Sequence, residues 1–134
     1  MIIVGDKITK INAIRGELKR GTSIESKPEI KNIYKKDLFS AGEKRDGLTI
    51  EYTYSNKYGK TSKIEIEGSL FVVGESKKLK DLEKSWKKNK KMEDGVAVPV
   101  LRKIFEVGMT NSVIIAKTLD LPAPIHFPKV VPKE

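Results

Sequence analysis

The 134-residue sequence has no cysteine, which excludes a disulfide framework, a thiolate metal site and a cysteine nucleophile. It has a single histidine, His126, so a zinc site with several His or Cys ligands cannot be assembled. A catalytic triad needs a base beside a nucleophile, and His126 is flanked by Ile125 and Phe127 in a proline-rich segment, which gives no sign of such a group. The glycine patterns that cradle phosphates, G-x-x-x-x-G-K-[ST] and G-x-G-x-x-G, are absent as well. These absences predict a protein that is not an enzyme and that uses no cofactor or metal.

Long hydrophobic runs are also missing. No stretch approaches the ~20 apolar residues that a membrane helix needs, and the short apolar start at residues 1–4 is no signal peptide. We therefore expect no membrane span and a cytoplasmic location. The length fits one domain, residues 1–134, with an ordinary hydrophobic core.

The charge is strongly basic, with 27 Lys and Arg against 18 Asp and Glu, a net +9. Residues 76–91 carry eight lysines against Asp81 and Glu83, so eight minus two gives a net +6 in this segment. The lysines are Lys77, Lys78, Lys80, Lys84, Lys87, Lys88, Lys90 and Lys91. Such a surface attracts phosphates, acidic proteins or anionic lipid headgroups. It is equally typical of a solvated helix face, and both interpretations stay open.

Two segments predict strands. Apolar residues at 48, 50, 52 and 54 alternate with polar ones, and so do Ile64 and Ile66 before the run at 70–73. The residues between, 56–59, suit a hairpin loop. Glu65 and Glu67 share one strand face, which we interpret as the solvent side rather than as a catalytic pair. Residues 8–18 and 30–39 fit a helical stripe about as well as a strand.

Two segments predict helices. Residues 76–91 place Leu79, Leu82 and Trp86 on one stripe, with Ser76 as N-cap. Residues 98–119 form a longer helix with Pro99 in its first turn. Small residues at 108 and 112 would allow another backbone to approach closely; alternatively, a second helix begins at residue 110 or 111. The proline-rich residues 121–128 predict an extended segment.

Three stretches resemble the SecB-type protein-export chaperones. Residues 63–74, KIEIEGSLFVVG, are similar to the last strand of that family, which also runs through a glycine into an apolar stretch. Residues 98–103, VPVLRK, are similar to the Pro-initiated start of its first long helix. Residues 119–127, LDLPAPIHF, resemble its helix-crossover loop. In element order the resemblance extends from about residue 7 to residue 130.

The resemblance implies an α+β fold in which a four-stranded antiparallel sheet, residues about 7–74, packs on C-terminal helices. It makes both ambiguous segments strands. It also implies a homodimer or homotetramer that serves protein export and folding by binding unfolded polypeptides in a groove. The matching groove positions are Phe71, Val73, Leu121, Pro122, Pro124, Ile125 and Phe127.

Two departures from the family keep other functions open. The family is acidic and docks the export motor on its acidic sheet face, whereas this chain is basic. The family's second long helix, which covers the groove, has no counterpart after Phe127. The proline-rich segment can therefore pack back onto the sheet as a purely structural seam. The alternative function is binding of a nucleic acid or an acidic partner through the lysine-rich helix.

Overall fold

A computed structural model of the chain describes residues 1–40 and 42–125. These residues form six strands and two helices. The strands are β1 (Ile2–Ile14), β2 (Ile24–Lys35), β3 (Leu38–Ser40), β4 (Glu43–Arg45), β5 (Gly47–Tyr58) and β6 (Ser62–Val73). The helices are α1 (Ser76–Asn89) and α2 (Asp94–Thr118). Neither helix is long and apolar enough to cross a bilayer, as judged over the described residues.

Four of the strands form one antiparallel sheet in the order β1-β6-β5-β2, with helices packed on one face. The predicted fold class, a four-stranded antiparallel sheet with C-terminal helices, is confirmed. The first strand begins at Ile2 rather than near Lys7, and both ambiguous segments are strands. Strand β1 has two irregularities in register, between Ile3 and Gly5 and between Ile8 and Lys10, and β2 has one between Ile30 and Asn32. Because β1 lies at one edge of this sheet, its outer backbone groups are available to another strand.

The two central strands follow the predicted alternation. On β5 and β6 the even-numbered residues from Leu48 to Val72 are buried beneath the helices, while most odd-numbered residues are half-buried on the other face. The alternation also corrects the hairpin. Asn56 and Tyr58, predicted to lie in the loop, belong to β5: they pair with β6 and their side chains are buried. The turn is confined to residues 59–61, where Gly59 has a φ of 60°.

A short hairpin of β3 and β4 forms a second, two-stranded sheet. The sequence had placed Leu38 in the same segment as β2, but the second strand of the main sheet ends at Lys35. The hairpin is held to the main sheet at Gly47, where an added Cβ would lie 2.6 Å from Cδ1 of Leu38. A residue without a side chain is needed at this close approach.

Helix α1 buries Leu79, Leu82 and Trp86, which confirms its predicted stripe. The predicted cap is wrong: Ser76 is the first helical residue, and the N-cap is Glu75, whose side chain makes no capping hydrogen bond. The helix ends at Lys90, which adopts the left-handed conformation with a φ of 54° and donates its backbone N–H to the carbonyl of Trp86.

Helix α2 is continuous from Asp94 to Thr118, so no second helix begins at residue 110 or 111. Pro99 lies in its second turn rather than its first, because the helix begins four residues earlier than predicted. The buried residues recur every four positions, at 100, 104, 108, 112 and 116. Leu101, next to the first of these positions, lies outside the buried row and is 36% exposed.

Candidate functional site

A groove of about 790 Å³ lies where the start of β1, the middle of α1 and the start of α2 meet. Its apolar lining consists of Ile3, Leu82 and Val96, together with the more exposed Met1 and Pro99. The volume falls within the range of ordinary ligand pockets. The groove is therefore large enough to receive several apolar side chains of a bound segment.

The local sequence explains why these elements converge. Strand β6 ends beside β1, and Gly74 brings the chain back over the sheet, where an added Cβ would lie 3.2 Å from Cα of Met1. The left-handed Lys90 then reverses the chain between the helices. Met92 and Val96 pack on the main hydrophobic core, and Val96 also lines the groove.

The rim of the groove is polar. Lys78, Asp81 and Ser85 come from α1, and Glu93 precedes α2. Gly95 also lines the groove, and a Cβ atom added there meets nothing within 4 Å. The sequence gives no sign of this site as a whole, since its residues come from the start of the chain and from residues 78–99, which meet only in the fold. The one available signal in the sequence was the apolar start of the chain, residues 1–4, of which Met1 and Ile3 line the groove.

The predicted groove residues on β6 lie at the end of that strand. Phe71 is half-buried on the face opposite the helices, between Gly5 of β1 and Thr49 of β5. Val73 is 3% exposed, next to Ile2. Of this pair, only the Phe71 side chain is accessible to a partner.

The predicted residues of the proline-rich segment pack on the helix-covered face. Leu121 is buried with Ile64 and Ile66 near the start of β6. Pro124 is buried, whereas Pro122 and Ile125 are exposed. Phe127, like His126, lies outside the described residues.

Polar contacts hold the start of this segment in place. The hydroxyl of Tyr58 donates a 2.8 Å hydrogen bond to the carbonyl of Pro122. The Arg15 guanidinium donates to the carbonyls of Leu119 and Asp120. The segment thus packs back onto the sheet, as one of the two sequence interpretations expected.

The two halves of the predicted groove do not meet among the described residues. Leu121 contacts the cluster around Ile64, whereas Val73 lies at the other end of β6, about 30 Å away at ~3.3 Å per residue. Phe71 also faces the opposite side of the sheet from Leu121. A short segment of a bound polypeptide could therefore not contact the end of β6 and the proline-rich segment at the same time.

All eight lysines of the predicted anion patch are exposed. They do not form one uniform surface. Lys87 pairs with Glu83 at 3.2 Å, Lys90 lies 5.6 Å from the ring centroid of Trp86, and Lys78 lines the groove. Lys77, Lys80, Lys84 and Lys88 follow at spacings of three and four on the helix side that faces away from the core.

The face of the sheet opposite the helices carries similar numbers of lysines and glutamates. The paired positions of this face hold Lys7, Lys10, Lys27, Lys57 and Lys63 against Glu25, Glu29, Glu51, Glu65 and Glu67. Lys31, at the irregularity of β2, lies 3.2 Å from the Glu29 carboxylate. Oppositely charged neighbours face each other across the strands, such as Lys10 and Glu67, and the ammonium of Lys63 lies 3.8 Å from the Glu65 carboxylate. This balanced face lacks the excess of negative charge with which the SecB family docks its motor.

Three buried tyrosines of β5 have raised pKa values. Burial is the main cause for each, and it raises the pKa of Tyr58 to about 12, with a smaller contribution from Tyr54. Burial also raises the pKa of Tyr52, helped by the negative charge of Asp6, and that of Tyr54, against the opposing effect of a hydrogen bond with Ser26. These hydroxyls are protonated at neutral pH, and the three side chains are part of the hydrophobic core. Among the described residues no three His, Cys, Asp or Glu side chains are grouped as metal ligands.

No protein-family model and no curated protein sequence matches the chain. In structure, it is similar to the SecB-like chaperone Rv1957 of Mycobacterium tuberculosis, solved in complex with a ChAD peptide from the Rv1956 HigA1 antitoxin. The TM-score is 0.51 at 9% sequence identity, over 98% of this chain and 92% of that chain. At this identity the likeness establishes the architecture: the chain has a SecB-like fold.

Proposed function

We propose that this protein is a non-enzymatic, SecB-like chaperone that binds apolar segments of non-native polypeptides. The proposal includes a cytoplasmic homodimer or homotetramer that works without a cofactor and serves folding or export. The similar fold of a chaperone solved with a bound peptide supports it. The observation that carries it is the groove between β1, α1 and α2, with its apolar floor and polar rim.

The groove suits an extended, apolar segment for two physical reasons. Its floor is part of the packed core, so little conformational freedom is lost when a ligand binds. It also adjoins the start of β1, an edge strand that can donate and accept backbone hydrogen bonds. Backbone pairing is independent of sequence, which is the property that a binder of many unfolded chains requires.

The groove positions implied by the resemblance remain a second proposed surface. Phe71 and Ile125 are the two described members with accessible, large apolar side chains. Phe71 lies on the face opposite the helices, whereas Ile125 ends the segment whose Leu121 packs on the helix-covered face, so the two would contact different parts of a client. The two surfaces can be distinguished by mutation.

The experiment fills the groove without cutting into the core. Gly95→Trp places a large side chain in open space at the groove, and Gly95→Ala is its matched control. We measure, by light scattering, how each variant slows the aggregation of a chemically denatured globular protein. Phe71→Ser and Ile125→Ser are measured in parallel, and size-exclusion chromatography with light scattering gives the oligomeric state.

We expect the wild type and Gly95→Ala to suppress aggregation and to carry client through the column. Gly95→Trp should lose at least tenfold in client affinity, since the inserted ring occupies the site. If only Phe71→Ser or Ile125→Ser weakens client binding, the binding site lies at the positions implied by the resemblance and not in the groove. Failure of the wild type to retain any client would overturn the proposed function.

A further inference from the structure

The outward side of α1 carries a row of lysines with no assigned role in polypeptide capture. Lys77, Lys80, Lys84 and Lys88 are exposed, and none forms an ion pair with a carboxylate of the described residues. Asp81 lies on the same side, so the face has four positive charges against one negative. Clustered like charges repel one another, and a bound anion would relieve that repulsion.

The position of these four lysines is fixed by the packing of α1 on the core. Leu79, Leu82 and Trp86 are buried on the opposite side of the helix and fix its orientation on the core. The four lysines span about 16 Å along the axis at ~1.5 Å per residue. Measured along the axis of a duplex, this length corresponds to about five phosphates of one strand at ~3.4 Å of rise each.

The absence of apolar groups on this face indicates the class of partner. The outward side of α1 presents lysines and Asp81, whereas protein interfaces are centred on aromatic and aliphatic side chains. Binding to a phosphate backbone requires only spaced cations. The ring of Trp86 is buried and cannot stack on an unpaired base, which disfavours single strands. Because the apolar side of α1 is inside the core, it cannot enter a membrane surface either.

We propose that this lysine face, defined as Lys77, Lys80, Lys84 and Lys88, binds the phosphate backbone of double-stranded nucleic acid without reading its sequence. Lysine ammonium groups are point charges, suited to phosphate contacts but not to the bidentate recognition of bases that arginine performs. The lysine face is separate from the apolar floor of the groove. Nucleic-acid binding is therefore independent of the proposed chaperone function and can fail or succeed without it.

The test uses fluorescence anisotropy with a labelled 20-base-pair DNA, an RNA duplex of the same sequence, and each single strand. We expect binding to both duplexes at 50 mM salt, with little dependence on sequence. For DNA, the slope of log K against log salt should be about −3 to −4, from four contacts at ~0.9 each. Unlabelled poly-glutamate and anionic vesicles are added as competitors.

The decisive comparison is between two quadruple variants with the same net charge. Changing Lys77, Lys80, Lys84 and Lys88 to Gln should weaken duplex binding at least tenfold and flatten the salt slope. Changing Lys7, Lys10, Lys57 and Lys63 on the sheet to Gln should leave more than half of the wild-type affinity. Both sets are surface positions, and circular dichroism verifies that each variant is folded.

Several outcomes would overturn the inference. No duplex binding by the wild type at 50 mM salt would do so, as would equal weakening by both quadruple variants, which indicates general attraction to a basic protein. Tighter binding of single strands would exclude the duplex. Poly-glutamate or anionic vesicles displacing the duplex at equal charge concentration would show that the face takes an acidic polypeptide or a membrane surface instead.

Discussion

Gly108 of α2 lies directly against the ring of Tyr54 on β5, where an added Cβ would overlap Cγ and Cδ1 of the ring and lie 2.9 Å from the tyrosine Cβ. Both residues are buried. One turn earlier, Phe105 meets the same ring edge-on, with centroids 5.6 Å apart and an interplanar angle of 85°. The missing side chain at 108 thus sets how closely the helix approaches the sheet.

Gly108→Ala should lower the free energy of unfolding. Overpacking of a well-filled core costs about 1–3 kcal/mol, which outweighs the gain of ~1 kcal/mol in helix propensity. Urea unfolding followed by circular dichroism measures the change. Gly95→Ala in the same helix is the control, because its Cβ meets nothing within 4 Å and should stabilise slightly. A Gly108→Ala variant as stable as Gly95→Ala would contradict the close contact.

Ser112→Ala should destabilise the protein because it removes a hydrogen-bond acceptor, and not because it changes the volume of the side chain. The amide of the buried Asn56 donates from Nδ2 to Oγ of Ser112 at 2.8 Å, and Ser26 donates its hydroxyl to Oδ1 of the same amide. Removing the acceptor leaves a buried N–H group unsatisfied, at a cost of about 1–3 kcal/mol.

The same substitution at an exposed site is the control for Ser112. Ser85→Ala on α1 should change stability by less than ~0.5 kcal/mol. A double-mutant cycle of Ser112→Ala with Asn56→Ala should give a coupling energy of about 1 kcal/mol. A coupling energy near zero would mean that the Asn56–Ser112 hydrogen bond does not stabilise the fold.

Tyr58 should make the protein less stable in strongly basic solution. Burial raises its pKa to about 12 in the folded state, whereas an unfolded tyrosine ionises near ~10. Between these two pH values the unfolded chain binds fewer protons than the folded chain. The contribution of Tyr58 to the free energy of unfolding is therefore fully present below pH ~10 and is lost as the pH rises toward 12. Urea unfolding between pH 8 and 12 measures this fall.

Tyr58→Phe should flatten that pH dependence and, by removing the hydrogen bond to Pro122, cost about 1 kcal/mol at neutral pH. The remaining slope belongs in part to Tyr52 and Tyr54, whose pKa values are also raised by burial. Tyr34→Phe, which removes an exposed hydroxyl, is the matched control. Equal flattening by both substitutions would refute a special role for Tyr58.

Local pattern predicted the elements whose burial follows a simple period. Period two identified β5 and β6, and the stripe of Leu79, Leu82 and Trp86 identified α1. It could not decide β1 and β2, since irregularities in their register break the alternation. Resemblance to the SecB family supplied those two strands. Pro99 misled the placement of α2 because tertiary packing of Val96 extends the helix before it.

The groove shows the limit of sequence reasoning about the site. Ile3, Leu82 and Val96 carry ordinary core patterns in their own segments, and no local signal indicates that they line one cavity. Conversely, Phe71 and Leu121 are both apolar and were both predicted to line one groove. Phe71 faces the side of the sheet opposite the helices, whereas Leu121 packs on the helix-covered side after the chain leaves α2. The lysine face was visible as composition, while its four unpaired members emerged only from helix geometry and ion pairs.

Three properties follow from the amino-acid sequence alone: the chain has no thiol and a single histidine, its positive charge is concentrated at residues 76–91, and its strands precede its helices. These are properties of composition and of nearest neighbours, which the chain carries before it folds. The position of the groove and the close approach of Gly108 to Tyr54 depend on tertiary structure. Both join residues far apart in sequence, and they exist because burying the shared apolar face brings the helices onto the sheet.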